Sequence, residues 1–315
     1  MIACIFSGQG SQQAGMGRDL CRESAAARQV YATAADCLGL DLLDLDEVRM
    51  AQTRYAQLAI VTLSLAAWQA WRVAAGEAPP LAFAGFSLGE YSALGAAGVL
   101  ALPDLLGLVD ARARFMQEAS GANPGAMYAV IGLDESRLLT VVGKPAYRGR
   151  VFAVNFNCPS QVVIAGFSEP TADCAAELQA EGARRLVRLN VSGAFHTPLM
   201  ADAARQLADY ARQLSFRSPE GPIYANRTGR AHGENPDWPA ELAAHMASPV
   251  LWSEEVTNLR HDGCDVFLEF GPGKVLSGLV RKILPGCPAY PVEDAATLAG
   301  ALAGSRRPSD QSLKL

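Results

Sequence analysis

The chain lacks several features that would define its class at once. Its 27 basic residues are fewer than its 32 acidic ones, for a net charge of −5, so it lacks the basic excess of a general nucleic-acid-binding protein. Its seven cysteines include no Cys-x-x-Cys pair or other spacing typical of a metal site. We therefore expect no bound metal and no nucleic-acid partner.

Long hydrophobic runs are also missing. The stretch from Leu58 to Ala67 is interrupted by Thr62 and Ser64, and it falls short of the roughly 18 apolar residues that a membrane span needs. The first six residues form a short apolar strand that runs into a Gly/Gln/Ser loop, without the basic region or cleavage site of a secretion signal. We expect a cytoplasmic protein that does not bind membranes.

The pattern that is present is that of an α/β protein. Half of the 315 residues are hydrophobic, enough for a large buried core. Short apolar runs, such as residues 2–6 and 81–84, alternate with helical stretches, and this order predicts a parallel sheet. We assign residues 1–124 and 192–304 to one large α/β subdomain.

Between residues 125 and 191 the pattern changes. Strands are predicted at 126–133, 151–157, 161–167 and 184–191, with helices at 134–142 and 169–182. That βαββαβ order is the ferredoxin-like arrangement. We predict an inserted small subdomain at 125–191 and a flexible tail at 305–315, where apolar periodicity is lost.

The most informative motif is Gly-Phe-Ser-Leu-Gly-Glu at residues 85–90, between an apolar run and a helical stretch. A serine on a sharp strand-to-helix turn presents its hydroxyl away from the sheet, with the positive end of the helix nearby. Glycine at 85 and 89 permits tight backbone geometry. Ser87 is the candidate nucleophile; the alternative is a turn that only packs a helix on a sheet.

A serine nucleophile needs a base, and the chain has four histidines. His232 lies in a polar loop, and His245 and His261 fall on surface-type helices, where we expect them to be solvated. His196 lies where the chain leaves the small subdomain and begins a new helix, and such loops often carry catalytic groups. His196 is the candidate base, with a helix-capping or packing role as the alternative.

Residues 6–12, Phe-Ser-Gly-Gln-Gly-Ser-Gln, form a second glycine-rich turn after the first strand. The turn has neither the phosphate-loop pattern nor the third glycine of a dinucleotide fingerprint. Its backbone N–H groups can point at an oxyanion. An ordinary strand-to-helix loop is an equally good interpretation of these residues alone.

Together these residues resemble a known family, the malonyl-CoA:acyl carrier protein transacylases and the related acyltransferase domains of polyketide and fatty acid synthases. The matching motifs follow one order and cover most of the chain. They are 8–12, Gln57, 85–90, Arg112 with Met116, 154–157, 161–166, Phe195-His196 and 271–274.

The resemblance implies a hydrolase-like large subdomain and a role for each matching position. Ser87 would be acylated, His196 would act as general base and then acid, and the N–H groups of Gln9 and Leu88 would form the oxyanion hole. Arg112 would hold the malonyl carboxylate through two parallel hydrogen bonds, a role that suits a guanidinium. Gln57 would contact the substrate, and a backbone carbonyl, assigned here to Leu251, would orient the histidine.

Two positions bear on acyl selectivity. Phe86 stands where this family usually has histidine, which removes a polar group beside the nucleophile. The segment Gly-Ala-Phe-His at 193–196 resembles the malonyl-selective version of its motif, since a bulky Phe195 leaves less room for an α-methyl branch. We also weigh Arg112 as an ordinary surface charge on its helix, for which neighbouring Arg114 serves as a comparison.

The resemblance implies malonyl-CoA and a phosphopantetheine-bearing, acidic acyl carrier protein as transient partners, a monomer, and no permanently bound cofactor. Basic residues that could receive the carrier are Arg184, Arg185, Arg188, Lys274, Arg281 and Lys282, although a solvated basic face fits them equally well. Three other functions are a carrier-thioester hydrolase on the same scaffold, an unrelated esterase, and a non-catalytic carrier-binding module. Arg112 counts against the hydrolase, and the absence of an esterase-type acid counts against the esterase. The intact Ser87 and His196 count against the binding module.

Overall fold

The computed structural model describes residues 1–76, 79–191 and 193–305. It divides into two compact units: a first unit of Met1–Val109, Arg217–Tyr224 and the chain from Asn258, and a second unit of Asp110–Phe216 and Ala225–Thr257. The predicted flexible tail lies outside the described residues from position 306 onward.

The described chain alternates strands and helices. The strands are β1 (Ile2–Phe6), β2 (Leu81–Gly85), β3 (Gly125–Ile131), β4 (Val151–Cys158), β5 (Gln161–Phe167), β6 (Arg185–Arg188), β7 (Tyr224–Ala225), β8 (Arg230–Ala231), β9 (Val266–Phe270) and β10 (Ala289–Val292). The helices are α1 (Arg18–Glu23), α2 (Ala25–Leu38), α3 (Glu47–Met50), α4 (Thr53–Ala75), α5 (Leu88–Ala96), α6 (Leu102–Ala122), α7 (Glu135–Val142), α8 (Ser168–Ala180), α9 (Ala201–Ala211), α10 (Trp238–Met246), α11 (Trp252–His261), α12 (Val275–Ile283) and α13 (Ala295–Ser305).

The first unit is built on a parallel sheet with strand order β10-β9-β1-β2. In β1, Ile2 is opposite Leu81 on one side and Val266 on the other. All five residues of β1 are buried, as expected for a parallel strand that is covered on both faces. The predicted parallel sheet is confirmed, whereas β10 was not foreseen, because Pro291 interrupts the strand pattern and is tolerated only at a sheet edge. The helix α13 was not foreseen either.

An aromatic cluster fills the core of the first unit. Trp68 and Trp71 of α4 stack with ring centroids 5.5 Å apart, and Trp68 meets Phe83 and Phe270 edge to face. By length and composition α4 is apolar enough to cross a membrane, yet 72% of its most apolar window is buried inside the protein. Its apolar surface is therefore used in the core.

The second unit contains the ferredoxin-like insert. Strands β3 to β6 form an antiparallel sheet with order β4-β5-β3-β6, and α7 and α8 complete the βαββαβ sequence. The predicted arrangement is confirmed, although β6 is four residues long rather than eight. Strands β7 and β8 form a separate two-stranded sheet, and β8 lies next to His232 in the segment that was predicted to be a polar loop.

The two faces of this antiparallel sheet pack against different partners. Val162 and Ile164 of β5 join α7 and α8 in one apolar cluster. Val163 and Ala165, one residue out of phase, join Ala194, Phe195 and Leu199 in another. Because side chains alternate along a strand, the sheet holds helices on one face and the segment that carries His196 on the other.

Candidate active site

Ser87 lies between the end of β2 at Gly85 and the start of α5 at Leu88. Its backbone has φ 51° and ψ −104°, a positive-φ conformation that is strained for a residue with a side chain. Among non-glycine residues of the described chain, three have a positive φ: Ser87, Ser160 and His196. Two of these three are the predicted nucleophile and its predicted base.

The flanking glycines allow the turn to form against the sheet. A Cβ on Gly85 would come within 2.1 Å of the Gly89 carbonyl oxygen, and one on Gly89 within 2.0 Å of the Phe6 carbonyl oxygen. Neither glycine has a positive φ. Their role is therefore close backbone approach, which draws the N-terminus of α5 onto β1.

The loop after β1 lies against the Ser87 turn within the first unit. Phe86 donates its N–H to the Phe6 carbonyl at 3.0 Å, and a Cβ on Gly8 would lie 2.7 Å from the Phe86 oxygen. Leu88 is the first residue of α5, where a backbone N–H has no acceptor within the helix. The loop at Gln9 and the helix start at Leu88 thus belong to one local structure, as an oxyanion hole requires.

Glu269 of β9 supports this loop, and sequence reasoning missed it. Its fully buried carboxylate accepts the N–H groups of Leu276 and Ser277 at 2.9 and 2.7 Å and the Ser7 hydroxyl at 3.4 Å. Burial raises the pKa of this carboxyl, while the donors around it act in the opposite direction. A single glutamate within the apolar run 266–270 was the available signal, since an acidic residue in a buried strand needs partners.

The remaining predicted residues of the first unit differ in exposure. Gln57 is fully buried on α4, and Phe86 is half-buried in the turn. Gln9 is exposed. The substrate-binding roles of Gln57 and Phe86 stay predictions.

His196 lies in the second unit, in a tight turn between Ala194 and Leu199. Its φ is 61°, and the Thr197 hydroxyl donates to the Ala194 carbonyl at 2.6 Å while it accepts the Leu199 N–H at 3.2 Å. His196 itself is 5% exposed. The turn, and not helix capping by the imidazole, fixes the position of this histidine.

Backbone carbonyls hold the Nδ1 atom of His196. The Ser248 oxygen lies at 3.1 Å and the His245 oxygen at 3.3 Å. The assignment of this role to Leu251 was wrong: the Leu251 carbonyl accepts the Glu255 N–H at 2.9 Å and begins α11. Counting along the sequence could not show which carbonyls of the turn after α10 face the ring.

Burial is the main cause of a strong shift in the basicity of His196. Desolvation, followed by the charges of His245 and Arg112, lowers the pKa of His196 from 6.5 to about 3. The two carbonyls oppose this shift because they favour the protonated ring. At neutral pH the imidazole is therefore uncharged and can accept a proton.

Arg112 is buried on α6, with 2% of its surface exposed. Arg114, two residues later, is exposed and stacks over Phe115 at 5.2 Å. The alternative that Arg112 is a surface charge is wrong, because a helix turns the two arginines to different faces. Arg112 belongs to the same unit as His196 and is close enough for its charge to lower the pKa of that histidine.

Phe195 precedes the base and is half-buried. A Cβ on Gly193 would lie 2.9 Å from the Phe195 ring and 2.1 Å from the Ser120 hydroxyl oxygen. Glycine at 193 therefore allows the phenyl ring and α6 to approach the same backbone position. The Phe195 ring therefore packs against the Gly193 backbone, and its role in limiting acyl size stays a prediction.

His245 was expected to be solvated and is instead 1% exposed, so that expectation was wrong. Its ring centroid is 5.5 Å from that of His196, and its Nε2 atom is 3.3 Å from the Asn226 oxygen. The spacing from Leu242 to His245 and Met246 placed it on the apolar face of α10, a signal that was available. His261, by contrast, has an 84% exposed side chain, as predicted.

Metal ligation is not supported by the side chains of the described ranges. Within residues 1–76, 79–191 and 193–305, no group of three or more His, Cys, Asp or Glu side chains is arranged to hold a metal ion.

A serine on a strained strand-to-helix turn beside a parallel sheet, with a ferredoxin-like insert, defines an α/β acyltransferase fold. The acyl transferase domain family matches residues 3–303. The chain belongs to this family.

Named relatives match over nearly the full length. The malonyl CoA-acyl carrier protein transacylase of Haemophilus influenzae is 39% identical over 94% of this chain and 96% of its own. The crystal structure of malonyl-CoA:acyl carrier protein transacylase from Xanthomonas oryzae has a TM-score of 0.89 at 38% identity, covering 96% of this chain and 97% of that one. A malonyl-transacylase in complex with a type II PKS acyl-carrier protein has a TM-score of 0.91 at 38% identity, covering 96% and 99%.

The contact between Gly89 and Phe6 predicts how the turn responds to one added methyl group. Gly89→Ala should lower the free energy of unfolding by about 2 kcal/mol or more, because an overpacked backbone must shift. Gly278→Ala in α12 is the matched control: no atom lies within 4 Å of its Cβ position, and alanine favours a helix by up to about 1 kcal/mol. Urea unfolding measures both, and equal effects of the two substitutions would contradict the close contact.

Proposed function

We propose that this protein transfers a malonyl group from malonyl-CoA to the phosphopantetheine thiol of an acyl carrier protein through an acyl-serine intermediate. The similarity to malonyl-CoA-acyl carrier protein transacylases over nearly the whole chain supports the substrates. The observation that carries the choice of a carboxylated acyl group is the burial of Arg112 in the same unit as an uncharged His196.

In the first half-reaction the Ser87 oxygen attacks the thioester carbonyl of malonyl-CoA while Nε2 of His196 takes the hydroxyl proton. The N–H groups of Gln9 and Leu88 stabilise the oxyanion. The carbon–sulfur bond then breaks, and His196 returns its proton to the departing CoA sulfur. The carrier thiol enters by the reverse sequence, so that Ser87 regains its proton and the malonyl group ends on the carrier.

Arg112 selects and anchors the acyl group in this mechanism. A buried guanidinium stays charged and binds a carboxylate through two parallel hydrogen bonds. Phe195 limits the space beside the malonyl methylene, and Gln57 and Phe86 complete the acyl-binding surface. The same anchoring holds the acyl-serine for the thiol, which favours transfer over hydrolysis.

The carrier protein is acidic in this proposal and binds transiently to exposed basic residues. Arg184, Arg185 and Arg188 are exposed in the second unit, and Lys274, Arg281 and Lys282 are exposed in the first. The enzyme works as a cytoplasmic monomer without a permanently bound cofactor, and it uses neither membrane nor nucleic acid. The net charge of −5 means that attraction to an acidic carrier must come from local groups such as these.

Intact mass spectrometry tests the acyl-serine. Incubation with malonyl-CoA should add one malonyl group, which Ser87→Ala abolishes, and holo carrier protein should then remove it as malonyl-carrier. Loss to water at the same rate with and without carrier would instead indicate the carrier-thioester hydrolase. Failure to form the adduct would exclude the transferase mechanism.

Arg112→Ala should lower kcat/KM for malonyl loading by about 100-fold, which is near the upper end of the effect expected when hydrogen bonds to a charged group are lost. Acetyl loading from acetyl-CoA, which offers no carboxylate, should change by less than tenfold. Arg114→Ala is the matched control on the same helix and should leave both rates near wild type, since its side chain is exposed. Equal losses of malonyl and acetyl loading in Arg112→Ala would contradict the carboxylate role.

The low pKa of His196 predicts that the rate of malonyl loading hardly falls when the pH is lowered below neutral. Because the pKa is lowered to about 3, the ring stays neutral well below its ordinary 6.5, and the loading rate should change less than about threefold between about pH 7 and pH 5. A histidine with an ordinary pKa would lose roughly 30-fold over that range. Rapid-quench loading measures the rate, with far-UV circular dichroism to confirm that the protein remains folded.

The same shift has a consequence for stability. The folded state binds a proton at His196 less readily than the unfolded state, so stability is lost as pH falls from 6.5 toward about 3. His196→Gln should lose less stability than wild type over that window in urea unfolding. A steeper loss in the variant would contradict the direction of the shift.

A further inference from the structure

The two carbonyls that hold His196 come from one short segment of the second unit. His245 is in the last turn of α10, and Ser248 follows three residues later, with its N–H bonded to the His245 carbonyl at 3.4 Å. Movement of this segment would move both acceptors of the Nδ1 proton together. What fixes the segment therefore fixes the orientation of His196.

The side chain of His245 takes part in a buried hydrogen-bond network with Asn226 and Glu255. Its Nε2 atom lies 3.3 Å from Oδ1 of Asn226, and Nδ2 of Asn226 donates to Oε2 of Glu255 at 2.9 Å. The three residues are each 1% exposed or less. Burying a polar group costs free energy unless the group forms a hydrogen bond, so this network holds its three side chains at fixed positions.

The donor and the acceptor of each hydrogen bond in this network can be assigned. Because Asn226 uses its amide nitrogen on Glu255, its amide oxygen faces His245 and can only accept. Nε2 of His245 must therefore carry a proton and donate it. The carboxylate of Glu255 thus determines the orientation of an amide, and that amide determines the hydrogen-bonding state of a histidine next to the base.

Asn226 also binds the far end of the same segment. Its main-chain oxygen accepts the Leu251 N–H at 2.7 Å. In between, Val250 donates to the Val154 oxygen of β4 at 2.7 Å and accepts from the Phe156 N–H at 2.9 Å. Hydrogen bonds hold the segment 245–251 at three points. The His245 ring bonds at one end, Val250 bonds to β4 in the middle, and Leu251 bonds to the Asn226 backbone at the other end.

We propose that His245 is a positioning residue whose ring, held by Asn226 and Glu255, fixes the His245 and Ser248 carbonyls and so keeps the proton of His196 on Nδ1. This leaves Nε2 of His196 as the basic nitrogen that takes the Ser87 proton. The inference rests on the proposed function for its kinetic consequence, but the tautomer of His196 can be observed without any substrate. Histidine tautomers are set by the hydrogen bond of the other ring nitrogen.

Two substitutions separate the hydrogen bond from the volume of the ring. His245→Met fills similar space but cannot donate, and His245→Gln can donate its amide N–H to Asn226. At saturating malonyl-CoA, the rate constant for loading Ser87 should fall at least tenfold in His245→Met with KM within twofold of wild type. His245→Gln should restore at least a third of the wild-type rate, and His261→Met, at an exposed histidine, is the control for the chemical change.

Nitrogen-15 NMR of the imidazole rings provides the readout that is independent of activity. With four histidines in the chain, His196 and His245 can be assigned by single substitutions. Wild type should show His196 protonated on Nδ1 and His245 protonated on Nε2, and His245→Met should show a mixture of tautomers at His196. If the protein fails to load malonyl at all, the proposed function falls while these spectra still test the positioning role.

Several results would overturn the positioning role. They are a wild-type His245 with its proton on Nδ1 alone, an unaltered His196 tautomer in His245→Met, or equal rate losses in the Met and Gln variants. The first of these is measured on the unmodified protein, so the test holds even if His245→Met does not fold.

Discussion

The rest of the site depends on one close backbone contact, that between Gly89 at the start of α5 and the Phe6 carbonyl at the end of β1. It allows α5 to begin directly above the sheet, which leaves Ser87 in a turn with positive φ, immediately before the first residue of the helix. The same contact brings the loop after β1 against Phe86. Nucleophile, helix N-terminus and loop N–H groups thus follow from a position where no side chain fits.

Local sequence predicted this part of the molecule well because its causes are local. Gly85, Ser87 and Gly89 are within five residues of one another, and each acts through its own backbone. The strand β1 has a continuous apolar sequence, as buried parallel strands do, and β9 departs from this pattern only at Glu269. In contrast, β10 was not predicted because it contains Pro291. A proline nitrogen cannot donate a hydrogen bond, so proline is tolerated in a strand only where no neighbouring strand needs that donor.

The support of His196 could not be predicted in the same way, because it is formed by residues that lie 30 to 59 positions away from that histidine in sequence. The family resemblance implied that a backbone carbonyl orients His196, and the structure shows carbonyls, but those of His245 and Ser248 rather than Leu251. The direction in which a chain leaves a helix determines which carbonyl faces a distant ring. The burial of His245 was not predicted, because the polarity of a histidine suggests exposure until its partner Asn226, which in turn donates to Glu255, is known.

Charge connects Arg112 to His196 in a way that suits a carboxylated substrate. Burial is the largest cause of the lowered pKa of His196, and the charges of His245 and of the buried Arg112 guanidinium add to it, so the ring stays neutral at the cost of basicity. A carboxylate bound to Arg112, as in the proposed mechanism, places a negative charge beside that guanidinium and opposes its part of the shift, whereas the part that comes from burial remains. An acyl group without a carboxylate supplies no such charge. In this proposal Arg112 therefore favours a carboxylated acyl group mainly by binding it, because its effect on the base is smaller than that of burial.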